Sequence, residues 1–272
     1  MQDQSDTPTK RSLDRENFVS TRHRDAAPDN FDPNKPRLGR RESEPHSAEI
    51  TYLYNVLRAN FPNDRTMWDL HHYFKKNKLE IDIQFDISFF KNLDIPYTLT
   101  SYNADQFDDR VPDMAINILS KSTWRSDLAE KVDQCRLLGI PLYIVFPSYH
   151  VANDIYKPPF LQAYVLKENG KYEVYELRET INPNSEELNI EATIDVTDIV
   201  PFRLGLQKRK RKHQDDESLY RLILIDPEKD KILLTKSEKI INEKERKIKE
   251  QKQKIEELGA EIKELREKLE GS

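Results

Sequence analysis

The residues with most chemistry in them lie in Pro112-Asp113-Met114-Ala115-Ile116-Asn117-Ile118-Leu119-Ser120-Lys121-Ser122-Thr123, followed by Asp127 and Lys131. An apolar run begins after Asp113, Asn117 interrupts it, and a serine-rich turn leads into a helix. Phosphodiester hydrolysis needs a divalent cation to polarise the phosphate and to lower the pKa of the attacking water. Magnesium takes a few carboxylate oxygens together with water and phosphate. A nearby lysine can orient that water or stabilise developing charge. Asp113 is the natural first ligand, and Lys131 supplies the ammonium. Glu80, Asp82 and Asp86 alternate along Leu79–Ile87 and are candidate second ligands, because period-2 spacing puts them on one strand face. Each reading has a plainer rival. Asp113 can be a turn aspartate after proline, Asn117 a structural amide, and Lys131 the i+4 ion-pair partner of Asp127.

Those residues need a strand, a polar turn and a helix to hold them. Met114–Leu119 is almost continuously apolar, as in a central strand covered on both faces. Asp127–Leu138 has helical spacing at Leu128, Val132, Cys135 and Leu138, with Gly139 as its stop. Pro141–Phe146 reads as a second buried strand, so strand, helix, strand implies a right-handed crossover and a partly parallel sheet. Upstream, Ile50, Leu53, Tyr54, Leu57 and Phe61 mark a helix that Ser47 can cap. Met67–Lys76 is a short helical piece or a strand edge, and Leu79–Ile87 a half-buried strand. Asn92–Asp109 reads as a long polar connection. Asn169-Gly170 marks a hairpin between Leu161–Leu166 and Tyr172–Leu177. A second hairpin-like pair spans Tyr220–Ile225 and Lys231–Leu234.

At this point the chain resembles a known family. Pro112-Asp113 through Thr123, then Asp127-Leu128-Ala129-Glu130-Lys131 and Leu138-Gly139-Ile140-Pro141-Leu142-Tyr143-Ile144-Val145, look like the Uma-type restriction endonucleases of the PD-(D/E)xK superfamily. The likeness covers roughly residues 47 to 180. It implies a restriction-endonuclease-like α/β core with a mixed sheet flanked by helices, a Mg²⁺ (or Mn²⁺) cofactor and a DNA substrate. By position Asp113 matches the metal-binding aspartate, Asn117 stands where the family carries glutamate, and Lys131 matches a lysine on the following helix. An amide can lend a carbonyl oxygen to a metal but removes a negative charge from its shell, which weakens binding. Either a carboxylate from Glu80, Asp82, Asp86 or Glu49 compensates, or the nuclease is attenuated or inactive. The alternative function is then a silent nuclease-fold module that binds DNA or a protein.

The rest of the chain bounds the reading. Of 272 residues, 36% are hydrophobic and 34% charged, with 6 Gly against 15 Pro and a net charge of −5. That is polar for one packed domain, so part of the chain lies outside a core. Attraction to nucleic acid must be local, and Lys208-Arg209-Lys210-Arg211-Lys212 is the candidate patch, with a solvated loop as its plain alternative. Residues 1–46 lack apolar periodicity and read as a disordered tail. Residues 47–205 form the α/β domain, and 206–234 a basic loop with a hairpin extension. Cys135 alone cannot form an intrachain disulfide or a cysteine zinc cluster. His71 and His72 read as surface residues. No membrane-length apolar run or signal-peptide core occurs, so a cytoplasmic protein is expected.

From 235 to 272 the pattern changes again. Thr235 with Glu238 forms a capping box. Leu234, Ile241, Ile248, Ile255, Ile262 and Leu269 recur every seven residues, with Leu258 and Leu265 at the second seam position. A strict heptad repeat predicts a coiled coil. Isoleucine and leucine in these positions favour a parallel homodimer, while Lys244 and Gln251 weaken its first half. An antiparallel or heteromeric pair is the alternative.

Overall fold

The computed structural model describes residues 43–76, 78–182, 188–209 and 218–270. Two sheets, three shorter α-helices and a long C-terminal helix form from these residues. Helix α1 (Glu44–Asn60) comes first, then strands β1 (Arg65–Lys76), β2 (Leu79–Phe90), the short β3 (Tyr102–Asn103) and β4 (Met114–Ile118). Helices α2 (Trp124–Asp127) and α3 (Glu130–Leu138) lead to β5 (Leu142–Phe146), and the β6 (Leu161–Leu166) and β7 (Tyr172–Leu177) hairpin follows. These strands form one mixed sheet in the order β3-β1-β2-β4-β5-β6-β7. Only β1/β3 and β4/β5 are parallel within it. Strands β8 (Thr193–Ile194), β9 (Arg203–Lys208), β10 (Tyr220–Asp226) and β11 (Lys231–Ile232) make a second, antiparallel sheet, and α4 (Lys236–Glu270) ends the described chain. The fold is the mixed α/β architecture that the pattern of elements implied.

β4 is central because both of its faces are covered. Met114, Ile116 and Ile118 pack toward α1 and the second sheet, with Leu53, Val56, Leu142, Ile144 and Leu204. Ala115 lies on the other side with Cys135, Leu138, Tyr143 and Val145, under α3. All five β4 residues are buried. The β4–α2–α3–β5 segment is a crossover between parallel neighbours, as the sequence implied. Gly139 ends α3 with φ 83°, a left-handed conformation that glycine adopts without a Cβ penalty. The Asn169-Gly170 hairpin also forms, with Gly170 at φ 72°.

Two local expectations need correction. Helix α1 begins at Glu44, three residues before Ser47, so Ser47 lies inside the helix, where its carbonyl accepts the Thr51 hydroxyl. Pro45 in the first turn explains the earlier start, since its fixed φ and missing N–H suit that position. The single helix expected over Asp127–Leu138 is broken at Leu128-Ala129 into α2 and α3. Met67–Lys76 takes the strand alternative: it lies within β1, which pairs with β2 along its length and, at His72 and Tyr73 alone, with the short β3 on its other side.

A further correction concerns His72, which is fully buried rather than exposed. Its ring packs among Phe74, Phe85, Phe90 and Tyr102. Nδ1 lies 2.8 Å from the Leu70 carbonyl and Nε2 2.9 Å from Ser88 Oγ. A carbonyl can only accept, so Nδ1 carries the proton and Nε2 accepts from the Ser88 hydroxyl. Burial disfavours the imidazolium and pulls the pKa from 6.5 to about 3, only partly opposed by the Leu70 carbonyl. A depressed folded value means that the unfolded chain binds the extra proton first. The contribution of His72 is therefore complete above about pH 6.5 and is lost as pH falls toward 3. Urea titrations at pH 7 and pH 5 should show a stability loss of about 2 kcal/mol from this group, absent in His72→Phe. Equal pH slopes in the two proteins would refute the assignment.

Candidate functional site

Three of the candidate residues, Asn117, Lys131 and Asp86, gather at the C-terminal end of β4, where it hands over to α2. Asn117 projects from the buried face shared with Ala115. Its side-chain Nδ2 donates to Asp127 Oδ1 at 2.9 Å. Lys131, one turn further along the chain on α3, reaches the same oxygen at 2.7 Å. Thr123 Oγ1 donates to the other oxygen, Oδ2, at 2.7 Å, and Ser120 Oγ lies 2.8 Å from Thr123 Oγ1. The Tyr143 hydroxyl on β5 donates to the Asp127 main-chain carbonyl at 3.0 Å. Asn117, Asp127 and Lys131 are 1%, 0% and 3% exposed, so the cluster is sealed from solvent.

The orientation of the amide follows from chemistry. An ionised carboxylate only accepts, so the amide nitrogen must face Asp127 and the carbonyl must face away. Asn117 Oδ1 is left buried without a hydrogen-bond partner among the described residues. Burial of Asp127 is sustained by an ammonium and two neutral donors, the condition under which a buried charge is tolerated. Burial, reinforced by the nearby Asp127 charge, pushes the Tyr143 hydroxyl well above the usual phenol range, so it remains a donor.

Asp86 approaches the same strand end from β2. Ile87 pairs with Ile116, so position 86 lies one step further along, beside Asn117. Its Oδ2 accepts the Ile118 main-chain N–H at 2.7 Å. From the first turn of α1, His46 Nε2 sits 2.9 Å from the Ile118 carbonyl and 3.3 Å from Asp86 Oδ2. The start of α1 therefore closes this end of β4. Nothing in the polar sequence around His46 signalled that position.

The other candidates sit elsewhere. Asp113 precedes β4, four residues and about 13 Å along an extended chain from Asn117. Its Oδ2 accepts the Lys91 main-chain N–H at 2.8 Å, with Lys91 Nζ and an Arg110 nitrogen each 3.8 Å away. Asp82 is held by His71 Nδ1 at 2.7 Å. Glu80 is exposed near the other end of β2, opposite Lys75. Glu49 is buried between Arg209 at 3.2 Å and Arg221 at 3.3 Å. Desolvation raises its pKa against the pull of the two guanidiniums. The structure thus joins Asn117 and Lys131 through Asp127, brings Asp86 beside them, and sets Asp113, Glu80 and Glu49 apart. Of the basic run, Lys208 is exposed at the end of β9 and Arg209 is drawn to Glu49; Lys210, Arg211 and Lys212 lie outside the described residues.

The family model Uma2, "Putative restriction endonuclease", matches residues 43–196, more than half of the chain. The chain belongs to the Uma2 family. The match begins at the residue before α1 and ends just after β8, so it takes in the large sheet and the whole Asn117 cluster. A solved structure from Anabaena variabilis, described as a "putative nuclease belonging to DUF820", is also similar. It is 18% identical, covering 53% of this chain and 71% of that one, with a TM-score of 0.37. Among curated proteins, none matches. The Uma2 assignment makes this a nuclease-family protein. No helix among the described residues is long and apolar enough to cross a membrane.

Proposed function

We propose that this Uma2 protein engages DNA with a nuclease fold whose hydrolytic centre is silenced at Asn117. One observation carries the reading: the amide at position 117 is spent as a donor to Asp127, beside the Lys131 ammonium. Both Asp127 oxygens are thereby committed to protein donors. What remains for a divalent cation is Asp86, one carboxylate already accepting a backbone N–H, and the neutral carbonyl of Asn117. That set is short of the charged oxygens that hold magnesium, and a buried ammonium stands next to it. Among the described residues no group of three or more His, Cys, Asp or Glu is placed to hold a metal. The donors therefore fit Mg²⁺ or Mn²⁺ poorly. Burial adds a second obstacle, because a phosphodiester reaches Lys131 only by displacing the elements that cover it.

A second reading has its own support. The buried, unpartnered Oδ1 of Asn117 beside Asp86 is an oxygen that a cation would satisfy, which favours a slow Mg²⁺- or Mn²⁺-dependent DNA endonuclease. In either case the Lys208–Lys212 run is the proposed phosphate-contacting segment, with Lys131 as the charge-stabilising group in the second.

The two readings separate in one experiment. Binding and cleavage of duplex and plasmid DNA are measured with Mg²⁺ and with Mn²⁺, for the wild type and Asp86→Ala. The expected result is binding that weakens with salt and cutting no faster than that of Asp86→Ala. Changing Lys208, Lys210 and Lys212 to Gln should lower affinity and flatten the salt slope by about two to three phosphate contacts. Metal-dependent cutting abolished by Asp86→Ala would establish the second reading instead. No DNA binding at low salt would defeat both.

A further inference from the structure

Helix α4 runs for 35 residues, about 50 Å at the usual rise. Among the described residues it is tied down at its base. Thr235 and Glu238 cap each other, and Lys239 Nζ reaches Asn60 Oδ1 at 2.8 Å and the Ala59 carbonyl at 3.2 Å. Beyond that turn, among the described residues, its hydrogen bonds and ion pairs stay within the helix. Its seam residues Ile241, Ile248, Ile255, Leu258 and Ile262 are 48% to 68% exposed. An apolar stripe on a solvated helix of this length needs a covering partner.

Charge and seam composition say which partner, and in which direction. With isoleucines at a, the second seam position d holds Lys244, Gln251 and Leu258. In a parallel pair of identical helices each position meets itself, so Lys244 would face Lys244 and Gln251 would face Gln251 inside the seam. The flanking positions would set Lys247 against Lys252 twice, leaving Glu261 with Arg266 as the favourable pair. Antiparallel pairing removes these conflicts. With the twofold at the level of Gln253, Lys244 lies against Ile262, Gln251 against Ile255, and Ile248 against Leu258. Lysine beside isoleucine can run its stem along the seam and keep its head in water.

The flanks improve in the same arrangement. Lys247 meets Glu261 twice and Glu245 meets Arg266 twice, leaving Lys254, which meets its own copy, as the like-charge contact. Sliding one heptad either way is worse: one shift puts Lys252 against Arg266, the other Lys247 against Lys254. The favoured register also overlaps the helix over its full length.

We propose that α4 pairs with α4 of a second copy of this chain, antiparallel, about a twofold axis at Gln253. This departs from the parallel pair that isoleucine and leucine alone favour, because polar seam residues and flanking charges outweigh that preference. The consequence is spatial: the two nuclease-fold domains sit at opposite ends of a stalk about 50 Å long, and cannot meet over one scissile step.

The full chain is tested by sedimentation equilibrium and by spin labelling at Asn242→Cys, with the buried native Cys135 as the unlabelled background. A dimer is expected, with an interlabel distance of about 33 Å along the axis, against under about 20 Å for a parallel pair. Charge exchange gives an independent readout. Glu245→Lys should weaken the dimer about 10-fold by opposing Arg266, and adding Arg266→Glu should restore it. In a parallel pair the second change would oppose Glu261 and deepen the loss. Melting of the α/β domain should be unchanged in both variants. A monomer at 100-fold dilution steps around ~10 μM, a short label distance, or failure of the second change to rescue would each overturn the proposal.

Discussion

Lys131→Met is expected to destabilise the α/β domain by about 3–5 kcal/mol, lowering its melting temperature by roughly 10 °C. The ammonium is 2.7 Å from Asp127 Oδ1 in a site that neither residue shares with solvent. Removing it strands a buried carboxylate with neutral donors alone. The cost comes from that stranded charge more than from the lost attraction, which makes a sharp secondary prediction. Asp127→Asn in the same background removes the charge: its single carbonyl oxygen still accepts from Asn117, and its NH2 donates to the Thr123 hydroxyl, which can turn to donate to Ser120 Oγ. The double variant should therefore regain most of the lost stability, giving a coupling of about 2 kcal/mol or more. High salt should leave the effect intact, as it does for pairs that water cannot reach. Calorimetry on the four proteins of the cycle is sufficient. Additive losses, or a single variant as stable as wild type, would mean that Lys131 is not the counter-ion of a buried Asp127.

What the sequence revealed of this arrangement divides along physical lines. Strand β4, its parallel neighbour β5, the Gly139 helix stop and the Asn169-Gly170 hairpin were legible because apolar continuity and turn chemistry are local signals. The i+4 spacing of Asp127 and Lys131 likewise announced an ion pair, though not its burial. Three-dimensional neighbours were harder. Asp86 looks equivalent to Glu80 and Asp82 in an alternating strand, yet only Asp86 lies beside Asn117, because pairing with β4 reaches that part of β2 alone. Asp113 looked like the natural partner of Asn117, but an extended strand carries residues four apart to opposite ends. His46 and His72 were missed for a common reason. Histidine is polar in composition, and its burial depends on carbonyls and hydroxyls contributed by distant or neighbouring strands. The α4 heptad was readable in the sequence, while the antiparallel direction proposed for it rests on polar seam positions and flank charges rather than on the repeat itself.

Asn117→Glu is the change with the largest expected functional effect, because it tests the proposal that one missing charge silences the centre. The new carboxylate would lie against Asp127 Oδ1, where the amide nitrogen now donates at 2.9 Å. Without metal, two buried acids beside one ammonium repel, so the variant should be less stable than wild type by about 2–4 kcal/mol, or hold a proton at the site. A divalent cation reverses that sign: Asp86 and the introduced acid would now supply two charged oxygens, and affinity rises with ligand charge. Millimolar Mn²⁺ should raise the melting temperature of Asn117→Glu by several degrees and that of wild type by none, since a ligand at about 100 times its Kd contributes roughly 2.7 kcal/mol. Cleavage of plasmid DNA should exceed wild type by at least ~100-fold and vanish when Asp86→Ala is added. The melting readout matters because it reports metal uptake whether or not the substrate gains access. If Asn117→Glu folds yet shows no metal-dependent stabilisation, the amide is not what silences the centre. The obstacle would then lie in the seal that His46, α2 and α3 place over the end of β4, and displacing the start of α1 would be the change to make next.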